Sequence, residues 1–413
     1  MKSRRILIRS NHPKILVGNK QEEFIHGVLK STAGDFIVNE IPLYEPCGEG
    51  EHLYLSVRKT KMSHEELIRN VAKEFGVSPR DVGSAGRKDL QAVTTQTLSI
   101  YLPGKQTIVP ESIGSIDILS FSWHTNKLRL GHLKGNSFAI RLREIDLRLF
   151  ETIEKRLDNL KKTGLPNAFG PQRFGNYGNN HTLGHAILLE DWDSLVLTLL
   201  QGNDRHNMFA EKGEYKKSLD AWPFGQPAER NVLQALTQGK TKQQACKTIN
   251  KHMRTLWVNS FQSAVFNEVL RQRQQNKTWD SIIEGDLVWN HDGGGRTFEV
   301  SQEESDSNEI KIRTTSFGVS PSGPLWGSKM RLPSGKVLQM EQSTLASFGV
   351  DEEHLTKMKK YAKGARRPLR VQVGNPVASI GTDSNGDFVE VVFELPAGSY
   401  ATVLVEKLLS GEA

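Results

Sequence analysis

The placement of strand-type patterns along the chain constrains the fold more than any other feature. Short stretches of alternating apolar and polar residues occur between residues 30 and 145, and apolar side chains recur at every second position from Val389 to Leu395. The roughly 200 residues between these regions have longer, helix-type apolar stretches. Because strands need a shared hydrophobic core, we expect both chain ends to build one strand-rich domain that holds a more helical insertion.

Several individual elements can be predicted. Four strands are expected at Phe36 to Val38, Leu53 to Val57, Leu98 to Leu102 and Phe138 to Leu142. Ser63, followed three residues later by Glu66, forms a capping-box pattern at the start of a helix. A second helix is predicted over residues 147–162, and Gly164 ends it.

The middle and the end of the chain give further predictions. Helices are expected at Ser194 to Leu200 and Phe261 to Leu270, whereas Gly293 to Gly295 and Ser301 to Glu309 have the composition of exposed turns. A final helix is predicted from Tyr400 to Leu409. These patterns place the domain boundaries after residues 164 and 366, so that residues 1–164 and 367–413 form one domain around an insertion of residues 165–366.

Composition narrows the classes of protein. A chain of 413 residues, 37% hydrophobic and 24% charged, fits a soluble globular protein of two domains. No apolar run reaches the roughly 18 residues that a membrane helix needs, and Arg9 interrupts the apolar residues behind the basic N-terminus, so no secretion signal is expected. Cys47 and Cys246 lack metal-type spacing. A reducing cytoplasm is the expected compartment.

Positive charge points to an acidic polymer as the partner. The formal net charge is +7, and residues 127–134, 240–254 and 357–370 are three basic stretches without an acidic residue. Lysine and arginine make most phosphate contacts, so a nucleic-acid partner is favoured over a merely solvated face.

One loop has the composition of a catalytic segment. Residues 83–96 place Asp89 directly behind Arg87 and Lys88 in a small, glycine-bearing segment that leads into a predicted strand. A cation within a few Å keeps a carboxylate ionised, so Asp89 could act as a nucleophile. The alternatives are a solvated turn and a structural ion pair.

Other segments carry a family resemblance. The string Gly-x-Lys-Asp-x-x-Ala-x-Thr-x-Gln stands at Gly86 to Gln96, and further unusual segments lie at Leu130 to Phe138, Asn167 to Gly175 and Phe393 to Thr402. Together they resemble the TruD family of tRNA pseudouridine synthases over nearly the whole chain. The resemblance implies an α+β fold: a mostly antiparallel pseudouridine synthase core from both chain ends, with an inserted α/β TruD-type domain.

The resemblance also implies an activity. Such enzymes are isomerases that detach uracil from ribose at N1, turn it and rejoin it through C5, and bacterial members act at position 13 of tRNA. Asp89 would be the nucleophile, attacking either C6 or C1′, and Lys88 or Arg87 would fix and ionise it. No cofactor or metal is expected, tRNA is the partner, and the enzyme is expected to be a monomer.

The resemblance further places five residues at the substrate. Phe138 would stack on the extruded uracil, with Phe36 and Phe393 beside it, Asn136 would read a polar edge of the base, and Lys30 would contact phosphate or substrate. Core packing is the alternative for Phe36 and Phe393, and an exposed lysine is the alternative for Lys30.

Two other functions find partial support in the sequence. Residues 187–194 imitate the Asp-x-Asp of phosphoryl-transferring hydrolases, but no paired-acid metal site follows, and Asp193 is better explained as the cap of the next helix. The other rival is a non-catalytic RNA-binding protein or chaperone. An acid beside the cations of the 83–96 loop argues against it, since a phosphate binder gains nothing from that acid.

Overall fold

The structure is a computed structural model that describes residues 25–86, 88, 92–104, 107–201 and 205–411. It contains two compact units. Unit one comprises the described residues up to Leu165 together with those from Gln372 onward, and unit two comprises Pro166 to Val371. The basic N-terminal segment considered as a secretion signal lies outside the described residues.

The described residues contain strands and helices in mixed order. The strands are β1 (Phe36–Pro42), β2 (His52–Thr60), β3 (Val82–Ser84), β4 (Val93–Tyr101), β5 (Ser112–Ile113), β6 (Ile116–His124), β7 (Leu133–Arg143), β8 (Leu165–Pro166), β9 (Leu287–Asn290), β10 (Arg296–Glu299), β11 (Val319–Leu325), β12 (Ala365–Pro368), β13 (Arg370–Val371), β14 (Gly374–Asp383) and β15 (Gly386–Pro396).

The helices lie mostly in the middle of the chain. They are α1 (His64–Glu74), α2 (Phe150–Thr163), α3 (Asn180–Leu189), α4 (Trp192–Leu199), α5 (Arg205–Glu211), α6 (Tyr215–Ala221), α7 (Pro227–Thr237), α8 (Lys242–Cys246), α9 (Lys251–Gln275), α10 (Gln302–Asp306), α11 (Asn308–Thr315), α12 (Gly335–Ser347), α13 (Glu352–Met358) and α14 (Ala401–Ser410). No helix within the described ranges is long and apolar enough to cross a membrane.

Unit one is built on a nine-stranded sheet in the order β14-β15-β7-β1-β4-β2-β6-β5, with β3 also paired to β4. Only the β1–β4 neighbours run parallel among the described pairs. Strands from both chain ends therefore meet in one sheet, because β15 pairs with β7 and β7 with β1. The predicted α+β class with mostly antiparallel strands is confirmed.

The ends of the helices in unit one are fixed by capping residues and by a side-chain hydrogen bond. The Ser63 hydroxyl accepts a hydrogen bond from the Glu66 amide and caps α1, whose buried Leu67 and Val71 pack with strands β2 and β4. Helix α2 ends at Gly164, where φ is 86°. Arg156 of α2 donates to the carbonyl of Leu408 at 2.7 Å and so satisfies the end of α14.

A charge network links β7 to β14, the edge strand two places away in the sheet of unit one. Arg143 donates to Asp35 at 2.8 Å and to both carboxylate oxygens of Asp383, at 3.0 and 2.7 Å. Burial opposes ionisation of Asp35, but hydrogen bonds from Arg143 and Thr32 outweigh it and lower the Asp35 pKa. Hydrogen bonding from Arg143 lowers the pKa of Asp383 to about 2.

Unit two is more helical. The long helix α9 packs against α3 and β11, and its buried face includes Phe261 and Phe266. Two buried ion pairs lie here: Arg273 with Asp286 at 2.8 Å and Arg366 with Glu341 at 2.7 Å. Strands β10, β9, β11 and β12 form a four-stranded sheet.

Three local predictions were wrong. Residues 301–309 are not a turn, because Ser301 caps α10 and the chain re-enters a helix at Asn308. Asp191, rather than Asp193, caps α4 by accepting from the Ser194 amide. The third error concerned α9, which begins at Lys251, ten residues before the predicted Phe261, and whose first turns already contribute the buried side chains of Trp257 and Val258.

The basic stretch 357–370 is only partly a surface feature. Arg366 and Arg370 are buried, and the Arg366 guanidinium donates hydrogen bonds to Glu341 and Ser322. Arg367 is half-buried and donates to Asn167. Exposed cations remain at Lys359, Lys360 and Lys363.

Candidate active site

Three neighbouring strands of unit one gather the predicted substrate residues. In the β1–β7 register, Val38 is paired with Phe138 and Glu40 with Asn136. In the β7–β15 register, Phe138 is paired with Phe393. Directly paired residues project to the same face of a sheet, so these side chains lie on one face.

An aromatic cluster forms part of this face. Phe138 stacks on Phe393 with ring centroids 5.3 Å apart and an interplanar angle of 23°, and it meets Phe36 edge to face at 6.4 Å. Exposure is 2% for Phe36, 6% for Phe138 and 0% for Phe393. The three rings are therefore a packed unit in which Phe138 is the central member.

Lys30 lies beside the same cluster. Its Nζ is 4.0 Å from the centroid of the Phe36 ring, a cation–π distance. The Lys30 backbone has φ of 58°, a conformation that non-glycine residues seldom adopt and that tends to occur at functional sites.

Lys88 forms the polar half of the site. Its Nζ donates to Asn136 Oδ1 at 2.6 Å and lies 2.8 Å from Glu40 Oε1. The Lys88 side chain is 6% exposed and the Glu40 side chain 3%. The second Glu40 oxygen accepts a hydrogen bond from the Thr97 amide at 2.8 Å, so both carboxylate oxygens are engaged.

These contacts orient the amide of Asn136. An ammonium group can only donate, so the Asn136 atom facing Lys88 must be the carbonyl oxygen. The Asn136 NH₂ group is then the part that faces away from this contact and can donate to another acceptor. Lys88 thus donates a hydrogen bond to Asn136 and forms an ion pair with Glu40.

Glu40 is the residue that the sequence analysis missed. Its signal is present in the strand pattern: Phe36 and Val38 are buried at alternating positions of β1, and Glu40 is the next residue on that face. An acid at a buried strand position needs a compensating cation, and Lys88 supplies it.

Close backbone packing explains two glycines of the motifs. A Cβ on Gly135 would lie 2.4 Å from the carbonyl oxygen of Leu395, so only glycine lets β15 approach β7 next to Asn136. A Cβ on Gly83 would lie 2.3 Å from the carbonyl oxygen of Leu128. Both glycines hold backbone in place around the site.

Asp89 and Arg87 lie outside the described residues. The chain is described up to Gly86, immediately after β3, again at Lys88, and from Ala92 into β4. The described part of the chain brings together Lys88, Asn136, Phe36, Phe138 and Phe393, with Lys30 adjoining Phe36. Among described residues, no group of three or more His, Cys, Asp or Glu side chains is arranged to hold a metal ion.

Comparison with known proteins settles the family. The model of the tRNA pseudouridine synthase D (TruD) family matches residues 19–408. The chain belongs to the TruD family. It is therefore an isomerase that acts on uridine in tRNA.

Curated TruD-family relatives and one solved structure support this assignment. The chain is 38% identical to tRNA pseudouridine synthase D of Geobacter metallireducens over 93% of this chain and 95% of the relative, and 36% identical to that of Geotalea daltonii over 93% and 96%. A crystal structure of the putative tRNA pseudouridine synthase D from Methanosarcina mazei superposes with a TM-score of 0.77 at 25% identity, covering 94% of each chain.

Proposed function

We propose that this enzyme converts uridine to pseudouridine at position 13 of tRNA, with Asp89 as the nucleophile and without a cofactor. The observation that carries the proposal is the Lys88 ammonium group, which is buried against Asn136 and Glu40 one residue before Asp89. Its neighbourhood offers a fixed cation, an oriented amide and a packed aromatic cluster on one face of a sheet.

The reaction balances within one nucleotide. The N1–C1′ bond breaks, the uracil turns, and a C5–C1′ bond forms. The C5 proton leaves and N1 ends protonated, so no oxidant, energy source or external group is consumed. The Asp89 carboxylate starts the sequence by attack at C6 or at C1′.

Lys88 serves the nucleophile in this proposal. Its ammonium group, one residue before Asp89 in the chain, holds the Asp89 carboxylate in the ionised form. Glu40 in turn compensates the Lys88 charge and fixes its position. Glu40 is thus a positioning residue.

Binding of the extruded base falls to Asn136 and the aromatic cluster. The Asn136 NH₂ group donates to a uracil carbonyl oxygen, and Phe138 contacts the ring. Stacking of a base on an aromatic side chain contributes about 1 to 3 kcal/mol, which offsets the cost of extrusion. Phe36 and Phe393 belong to the binding site through their packing against Phe138, and Lys30 contributes positive charge at its margin.

Phe138 also limits how the C5 proton can leave. A phenyl ring has no group that accepts a proton, so another base, Asp89 or water, must remove it.

The catalytic core in this proposal corresponds to residues 1–164 and 367–413, and residues 165–366 form the TruD-type insertion.

Tritium release from tRNA labelled at uridine C5 tests the target. A transcript with U13 is expected to release tritium, whereas the same transcript with U13 replaced by cytidine is expected to release none above background. Equal release from both would contradict position 13 while leaving synthase activity in place.

A further inference from the structure

A cavity lies in unit one beside the proposed active site. Its volume is about 330 Å³, at the small end of ligand pockets. Glu40 and Ala85 both line it. Glu40 binds Lys88, and Ala85 precedes Lys88 by three residues, which span at most about 11 Å of extended chain.

Aromatic side chains form a fixed part of its wall. Tyr44, Tyr54 and His132 line the cavity. The Tyr44 hydroxyl lies 2.7 Å from His132 Nδ1 and 3.4 Å from the Tyr54 hydroxyl, which donates to the carbonyl of Asn126 at 2.9 Å. His124 stacks on Tyr44 at 5.3 Å.

One phenol of the wall, that of Tyr54, keeps its proton. Burial and the hydrogen bond with Tyr44 raise the pKa of Tyr54, so Tyr54 remains a donor to the Asn126 carbonyl at neutral pH. A ring fixed by neighbours loses little entropy when a ligand packs against it. The wall is therefore preorganised for a flat ligand.

The polar lining selects against phosphate. No lysine or arginine lines the cavity among residues that the structure describes, whereas Glu40 and Glu45 do. The hydroxyls of Ser56, Ser120 and Ser122 add further acceptors. This lining suits a planar ligand that carries no negative charge and that donates a hydrogen bond to a carboxylate.

We propose that this cavity binds a second unpaired nucleobase of the substrate tRNA, one that carries an exocyclic amino group. The inference rests on the proposed function, since it needs an RNA whose target uridine sits at Lys88 and Asn136. The base is that of a nucleotide flanking the target. Glu45 accepts a hydrogen bond from the amino group, as acidic side chains do from cytosine.

Bases that carry hydrogen in place of the amino group test this proposal. Each nucleotide flanking the target uridine is replaced in turn by such an analogue: purine for adenine, hypoxanthine for guanine or 2-pyrimidinone for cytosine. Tritium release then gives kcat/KM for each transcript. At one position the wild type is expected to lose on the order of tenfold in kcat/KM.

The protein side of the test uses Glu45→Ala. Glu45 is exposed, so this change is mild for folding, and a thermal melt checks it. For this variant, kcat/KM is expected to differ by no more than about twofold between the transcript with the amino group and the transcript without it. Glu111→Ala, which removes an exposed glutamate of the same unit away from the cavity, should keep the tenfold difference.

The outcomes separate the two proposals. If the wild type releases tritium and loss of the amino group leaves kcat/KM unchanged at every flanking position, the cavity proposal is overturned and the proposed function stands. A loss of kcat/KM that persists in Glu45→Ala would also overturn the cavity proposal. No release from any transcript would overturn both.

Discussion

Lys88 Nζ lies 2.8 Å from Glu40 Oε1, and both side chains are almost completely buried. Removing one partner of a buried pair leaves an uncompensated charge, which destabilises a fold more than the pair itself stabilises it. Glu40→Gln should therefore lower the free energy of unfolding by about 3 to 5 kcal/mol. Chemical denaturation of the variant measures this.

The double variant Glu40→Gln/Lys88→Met separates stability from chemistry. It buries no unpaired charge, so stability should recover most of the loss, whereas activity should stay near background because the ammonium group beside Asp89 is gone. Recovery of activity together with stability would show that Lys88 has only a structural role.

Asn136→Asp tests the oriented amide. Aspartate still offers an oxygen to Lys88 at the place of Asn136 Oδ1, but it lacks the NH₂ group that we propose as the donor to uracil. An unmade hydrogen bond of this kind costs about 1 to 3 kcal/mol, so kcat/KM should fall roughly 10- to 100-fold with the melting temperature little changed. A loss confined to stability would contradict a binding role.

Phe138 variants test the aromatic contact and the proton step. Phe138→Leu should reduce kcat/KM roughly 10- to 100-fold, because stacking worth about 1 to 3 kcal/mol is removed. Phe138→Tyr should bring no gain, since another base removes the C5 proton. A large gain in its single-turnover rate would show instead that proton removal limits the wild type.

Acid stability should depend on Asp383. Its carboxyl pKa is held at about 2 by Arg143, below the ordinary 3.8, so its contribution to stability is complete above pH 3.8 and is lost as the pH falls through about 2. Unfolding midpoints between pH 5 and pH 2 should fall less steeply for Asp383→Asn than for the wild type. Parallel curves would contradict the assignment.

The salt dependence of tRNA binding should distinguish the exposed cations of residues 357–370 from the buried ones. Replacing exposed Lys359, Lys360 and Lys363 with alanine should flatten the plot of log Kd for tRNA against log salt, by about 0.7 to 0.9 for each phosphate that these lysines neutralise in the wild type. The matched pair change Arg366→Met/Glu341→Leu, which affects a buried ion pair, should leave the slope unchanged.

The sequence predicted what periodicity controls. Alternation in Phe36 to Val38 and Val389 to Leu395 located strands that the structure pairs through β7, and Ser63 marked the start of α1. Periodicity could not predict which distant residues form ion pairs. Nothing local to Glu40 or Arg366 shows that each meets an opposite charge from a distant segment, so the first was overlooked and the second was read as a surface cation.

Short helices were the other weak point. Residues 301–309 are acidic and polar throughout, so no apolar stripe marks α10, and only the Ser301–Glu304 capping box distinguishes a helix start from a turn. Asp191 and Asp193 both have the chemistry of a cap. Backbone geometry, rather than residue type, selects Asp191.

Tritium release from C5-labelled tRNA by wild type, Asp89→Ala and Asp89→Asn shows whether Asp89 is the nucleophile. For each protein, tRNA binding and the melting temperature are measured as well. If Asp89 is the nucleophile, the wild type alone releases tritium, while all three proteins fold and bind tRNA. Release by Asp89→Ala at a rate near that of the wild type would exclude Asp89 from this role.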